Sequence, residues 1–278
     1  MKFSLAAVLA AVACSSLASA EERSFRTDYL PIGSVRTDPI ISQTCLSDHV
    51  HTFYGPQISM RPEVTHADLV NSSIETNSGN VVENKSAYWH PAVYEVIDGV
   101  YNLVSSDDTT AYYIWESTGE TRAFPPGFRM IGGLRPNIDP VNAFAGCAGE
   151  SRCTKSDCTS PNTFFPTVQC EELEVEMSFP SCWDGVNNDS DDHTSHVHYS
   201  SDGTPDGTCP SSHPVKIPMI SLFFRINNYR GGHYTFSDDS SIFHADYIAG
   251  WDEQVLQNVL NHCQESTFAT ESVSTFEP

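Results

Sequence analysis

Apolar and polar residues alternate along much of this chain, and that two-residue period is the first guide to its architecture. In Leu173-Glu174-Val175-Glu176-Met177-Ser178-Phe179 every second side chain is apolar, so one face of an extended segment is greasy and the other wet. Ala111-Tyr112-Tyr113-Ile114-Trp115 and Ile220 to Ile226 are rich in aromatic and β-branched residues and predict central strands. Tyr88 to Val96 also reads as extended, with Pro91 pushing it toward a sheet edge or a bulge. Asp98-Gly99, Asp202-Gly203 and Asp206-Gly207 are turn signals. Helical spacing is convincing only in Asp252–Cys263, where Val255, Leu256, Val259, Leu260 and Cys263 share a face behind an acidic first turn. No repeat is visible. The pattern predicts a mostly β protein: a single β-sandwich or jelly-roll-like domain with a disulfide-rich loop insert and a C-terminal helix.

The ends of the chain divide it further. Lys2 precedes the short apolar run Phe3 to Ala13, and Ala18-Ser19-Ala20 is a small-residue cleavage site followed by Glu21-Glu22. Residues 1–20 are therefore expected to be a signal peptide, 21–265 one secreted domain, and 266–278 a tail. With Glu21 expected first in the mature chain, a copper brace on an N-terminal histidine is excluded. No later run approaches the roughly 18 apolar residues of a membrane span.

An oxidising compartment gives the cysteines a reading. Cys14 leaves with the leader, and Cys45, Cys147, Cys153, Cys158, Cys170, Cys182, Cys209 and Cys263 are expected to form four disulfides in one of 105 connectivities. Five of them crowd into the insert 146–182. Asn71, Asn84 and Asn188 begin glycosylation sequons in a eukaryotic host.

Composition narrows the partners. Hydrophobic residues make up 39% of the 278, enough for a real core and too many for disorder throughout. Lys+Arg number 14 against 36 Asp+Glu, a formal charge of −22, so nucleic acid and anionic membrane are not expected as partners. Neutral or cationic partners and divalent metals suit such a surface.

Eleven histidines are many for so few cations, and they cluster. His49-Val50-His51 and His196-Val197-His198 each set two imidazoles on one face of an extended segment, and His244-Ala245-Asp246 repeats the spacing with a carboxylate. Such pairs suit a transition metal or acid–base work. Asp184 to His193 is dense in oxygen ligands, but it fails the calcium-loop pattern: Asp192 stands where the turn glycine belongs. Nucleophile elbows, zinc-protease helices, phosphate loops and dinucleotide fingerprints are all missing.

Several strings resemble a secreted family, mainly fungal, catalogued only as a domain of unknown function. They are Arg36-Thr37-Asp38-Pro39-Ile40, His49-Val50-His51, Tyr88-Trp89 with Pro91 and Tyr94, Phe124-Pro125 with Gly127-Phe128-Arg129-Met130, and Cys182-Trp183-Asp184-Gly185. Asp189-Ser190 with Asp192-His193 and His196, Cys209-Pro210 with His213-Pro214, and His244 with Asp246 and Gly250-Trp251-Asp252 continue the match. The resemblance favours His193 with His196 over the His196/His198 pair, and it has a glycine where Ala245 stands. Members are sometimes fused to WSC-type carbohydrate-binding modules, which implies a polysaccharide or cell-wall glycan partner and an extracellular or cell-wall location.

The family carries no established activity, so the expected chemistry comes from the residues. The leading expectation is a polysaccharide lyase or glycoside hydrolase in which His49, His51, His193, His196, His244, Asp184 and Asp246 line one groove. Arg129 would bind an acidic sugar or a developing oxyanion, and Asp184 with Asp246 would be a hydrolase's carboxylate pair. A divalent metal ion is one candidate cofactor. Tyr88, Trp89, Tyr94, Trp183 and Trp251 are expected to be core aromatics more than sugar platforms. The alternative is a non-catalytic glycan- or metal-binding wall or matrix protein.

Overall fold

The computed structural model describes residues 22–116, 120–133, 143–148, 164–238 and 243–262. Two five-stranded antiparallel sheets dominate. The first runs β1 (Glu22–Tyr29), β7 (Thr109–Glu116), β14 (Met219–Asn227), β10 (Glu172–Ser178), β9 (Ala143–Cys147). The second runs β2 (Gly33–Val35), β3 (His51–Tyr54), β4 (Ala87–Pro91), β16 (Ala245–Ile248), β8 (Arg129–Gly132). Two three-stranded sheets flank them: β12 (Val197–His198), β11 (Cys182–Trp183), β13 (Val215–Lys216), and β15 (Tyr234–Phe236), β5 (Val93–Ile97), β6 (Val100–Val104).

The alternating segment behaves as its pattern dictates. On β10, Leu173, Val175 and Met177 are buried while the intervening glutamates and Ser178 stay half-exposed. Each such apolar side chain withdrawn from water contributes about 1.5–3 kcal/mol. Strands β7 and β14 lie inside their sheet, paired on both sides. Asp98 and Gly99 both have positive φ and join β5 to β6 as a two-residue turn. The C-terminal helix α2 spans Glu253–His262; Asp252 caps it by accepting from Gln254 N and Val255 N, and Leu256, Val259 and Leu260 are buried.

The main core lies between the two large sheets. Tyr54, Tyr88, Met130 and Tyr247 of the second sheet meet Phe25, Tyr113, Leu222 and Phe224 of the first. Buried phenols need partners, and these supply one another: Tyr88 Oη lies 2.5 Å from Tyr113 Oη, which accepts from Trp251 Nε1 at 3.0 Å. The other face of the second sheet carries a smaller core, with Phe53, Trp89, Ile131 and Ile248 beneath Ile40, Val64 and Leu69. Leu69 belongs to a short α-helix, α1 (His66–Val70), closed by a Thr65–Asp68 capping box. This second face holds the candidate site.

Three expectations need correction. Pro91 does not mark an edge, because β4 pairs with both β3 and β16. It ends the strand where the chain leaves for β5, a place that needs no further ladder donor. Cys147–Cys170 and Cys182–Cys209 are disulfides, but Cys45 is exposed and unpaired; Cys153, Cys158 and Cys263 lie outside the described residues. Asn84 is fully buried, and its Nδ2 donates to the Tyr88 and Tyr113 hydroxyls, so the atom that would carry a glycan is inaccessible. Asn71 is exposed; Asn188 is half-buried and donates to Pro126 O. The expected signal peptide lies outside the described residues, as do the tail and the middle of the insert.

Candidate metal centre

Strand register brings the site together. His51 opens β3, and His49 sits two residues earlier, so alternation aims both rings to the same side. His244 precedes β16 by one residue and Asp246 lies within it. β4 separates β3 from β16, with Trp89 opposite both Phe53 and Asp246. Ring centroids of His49 and His51 are 4.3 Å apart, those of His49 and His244 5.3 Å, and those of His51 and His244 5.8 Å. One ring nitrogen from each falls within 4.8 Å of the others.

Their protonation follows from the surroundings. His51 Nδ1 lies 2.9 Å from Thr37 O, and a carbonyl only accepts, so Nδ1 carries the proton and Nε2 keeps a lone pair. Burial, then the neighbouring His49 and His244, push the His51 pKa down to about 2. Burial and His49 bring His244 down to about 4, against the pull of Asp238. Asp246 moves the other way: burial, reinforced by the charge of Asp38, raises its pKa well above the carboxylate range. His244 Nε2 and Asp246 Oδ2 are 4.0 Å apart, yet these opposed shifts mean the pair is not an ion pair by itself. Asp38 is also buried and raised, although bonds from Ile40 N and Ile41 N and the charges of His49 and His193 work in the opposite sense.

Of the nine buried side-chain polar atoms left without a partner among the described residues, four meet here: His49 Nε2, His51 Nε2 and both carboxylate oxygens of Asp246. An unsatisfied buried group costs about 1–3 kcal/mol, so several in one place are a poor way to stabilise a fold. Three imidazoles and a carboxylate suit a borderline transition metal better than calcium or magnesium, which prefer all-oxygen shells. Tetrahedral ligands at about 2.0–2.1 Å from zinc would stand roughly 3.3 Å from one another, so modest side-chain rotation would close this set. A bound cation would also reverse the Asp246 shift and favour its ionised form.

Other expected site residues are engaged elsewhere. Asp184 folds its own turn, accepting from Val186 N at 2.8 Å, Asn187 N at 2.9 Å and Asn187 Nδ2 at 2.7 Å. It is therefore not free to pair with Asp246 across a substrate. His196 is buried with both ring nitrogens in contact, Nδ1 at 2.9 Å from Ser190 Oγ and Nε2 at 2.7 Å from Arg129 O. Arg129 donates to Pro39 O and Val64 O, fastening the covering segment to β8; this replaces the oxyanion role expected of it. His193 is half-buried, with Nδ1 2.8 Å from Asp189 Oδ1. Tyr88, Trp89, Trp183 and Trp251 are buried, leaving only Tyr94 of that aromatic set half-exposed. The residues missed from sequence are Thr37 and Asp38; the string Arg36-Thr37-Asp38-Pro39-Ile40 was the available signal.

Residues 38–251 match the family described as Domain of unknown function (DUF1996). The chain belongs to this family. The match encloses His49, His51, His244 and Asp246, so the DUF1996 region contains the whole candidate site. Comparison with curated proteins finds no match, and comparison with solved structures finds none either.

Proposed function

We propose that this is a secreted, metal-dependent protein in which His49, His51 and His244 hold one divalent transition-metal ion beside Asp246, and that this centre acts on a polysaccharide or cell-wall glycan by hydrolysis or lyase chemistry. The observation that carries the metal part is the meeting of three imidazole nitrogens within 4.8 Å, with unpartnered Nε2 atoms on His49 and His51. The ion would supply Lewis-acid polarisation of a bound oxygen. His51 is oriented by Thr37 O, the outer-shell arrangement that fixes a metal-binding tautomer. The glycan part rests on the resemblance to a family fused to carbohydrate-binding modules. Disulfides and the lack, among the described residues, of any helix long and apolar enough to cross a membrane are compatible with secretion.

Near-complete burial of His51 and His244 favours a second reading, in which the ion is held without turnover in a wall or matrix protein. Titration of the purified protein with Zn2+ or Cu2+ should give one ion per chain, and His51→Ala should abolish it. Product release from a panel of cell-wall glycans, with and without chelator, then separates the two readings. Retention without products supports the matrix protein; no stoichiometric metal in the wild type overturns both.

A further inference from the structure

We propose that the cleft between the C-terminal helix α2 and strand β13 binds a carboxylate-bearing sugar, a uronate unit of an acidic glycan, with the Arg122 guanidinium on the carboxylate and the Asn261 amide on a hydroxyl. The proposal rests on the glycan part of the reading above and needs nothing of the metal. The cleft measures about 760 Å3, and its walls include Glu120, Arg122, Pro214, Lys216, Gln257 and Asn261. Small-ligand sites usually fall between roughly 300 and 1,000 Å3.

Three elements form the walls and are pinned to one another. Arg122 N donates to Lys216 O at 2.9 Å, and Thr121 bridges to Lys216 in parallel, which fixes this segment against β13. Gln257 of α2 closes the other side. Its Oε1 accepts from Ala123 N at 2.9 Å, and its Nε2 donates to Thr121 O at 3.1 Å. The walls are therefore built before any ligand arrives, which lowers the cost of ordering them on binding.

Lys216 and Gln257 are spent on the protein itself, and two other side chains are oriented but left open. Lys216 Nζ donates to Glu116 Oε1 at 2.6 Å, so its charge is already met. Arg122 is exposed, and its guanidinium lies over the Trp183 ring, 5.3 Å from the centroid. That cation–π contact holds the group in place without an acceptor oxygen. No carboxylate among the described residues pairs with it, although the chain carries 36 acidic residues against 14 Lys+Arg. Asn261 Oδ1 accepts from Gln257 Nε2 at 3.1 Å, which fixes the amide and leaves its Nδ2 protons without a partner among the described residues.

The free guanidinium decides the ligand class. Its planar fork matches a carboxylate with two parallel N–H donors, while Asn261 Nδ2 and the Glu120 carboxylate offer a donor and an acceptor to hydroxyls. Glu120 also adds a negative charge to the rim, which suits a singly charged sugar better than a polyanion. Pro214 and Val215 supply apolar surface for the C–H edge of the ring. Arg129, of which this role was expected, spends its donors on Pro39 O and Val64 O, and Arg122 does not.

Calorimetry with trigalacturonate in the presence of chelator tests the cleft. The wild type should bind it, and should bind its methyl ester, which lacks the charge, about 10-fold or more weakly. Arg122→Gln should lose about the same factor, and Arg122→Lys should recover only part of it, because the charge returns without the fork. Both variants should melt at the wild-type temperature and keep its Zn2+ affinity. No binding by the wild type, equal affinity for the ester, or unchanged affinity in Arg122→Gln overturns the proposal. Binding of trigalacturonate with no product released from any glycan of the panel supports the cleft and overturns only the catalytic reading above.

Discussion

The second sheet and the 184–196 turn hold the same kinds of side chain and use them in opposite ways. In the turn, polar atoms are satisfied within a few residues: Asp192 Oδ1 accepts from Ser190 Oγ, Thr194 N and Ser195 N, and Asp184 accepts from Val186 and Asn187. Burial works against the charge of Asp192, but the Ser195 and Thr194 bonds outweigh it and hold its pKa well below the usual carboxylate value. On the sheet, Asp246 has no bond to either oxygen, and two imidazoles each keep an unpartnered nitrogen. A dense acidic motif is therefore not evidence of a site when its own backbone consumes the oxygens. Donor atoms assembled from distant strands and then left unbonded are far stronger evidence.

The largest test of that contrast is to remove a ligand from each region. His51→Ala or His244→Ala should weaken Zn2+ binding by at least about 10²-fold, the upper end of what outer-shell losses cost, while Asp184→Ala leaves it unchanged. Calorimetric titration reads both, and equal losses would erase the distinction.

Acid should act on the sheet more than on the turn. The folded-state pKa values of His51 and His244 are depressed, so between pH 6.5 and about 4 the unfolded chain binds more protons at His244 than the folded one, and His51 extends this to about 2. The stability of the metal-free protein should fall with pH through that window. Asp246, raised instead, opposes the trend because its folded form keeps a proton that the unfolded chain releases. Thermal melts from pH 7 to 4 should show a shallower fall in His244→Gln than in the wild type.

Gly133 offers a subtler break. Its φ is +87°, and a Cβ there would stand 2.3 Å from Phe243 O and 3.2 Å from the Cα of His244. Gly133→Ala should shift His244 and reduce metal affinity several-fold with the other ligands intact. The smallest effect is expected in the turn, where Asp192→Ala should lower unfolding free energy by about 1 kcal/mol in denaturant titrations and leave metal binding untouched.

How much of this was legible depended on range. Strand β10 and the C-terminal helix follow from periods of two and 3.6 because their patterns are complete within a few residues. The same-face placement of His49 and His51 followed from the same rule. Pro91 misled, since its effect depends on whether another ladder bond is needed after it. Asp184 misled because sequence shows a carboxylate's presence and not where its oxygens are spent. Thr37 and Asp38 were visible in the string Arg36 to Ile40, but their place at the site depends on the loop folding back to set Thr37 O against His51 Nδ1. That His244 joins His51 depends on β4 lying between β3 and β16, a pairing no local pattern encodes.

That strand order has a consequence for the chain's life before it is finished. His49 and His51 emerge early and His244 late, and the site closes only when β16 docks beside β4. Nonlocal pairing of this kind forms slowly, after the loops between have closed. A nascent or half-folded chain therefore offers two imidazoles and no enclosure, a weak competitor for scarce metal. On the proposed metal reading, loading would be deferred until the protein is whole, and occupancy would report completed folding.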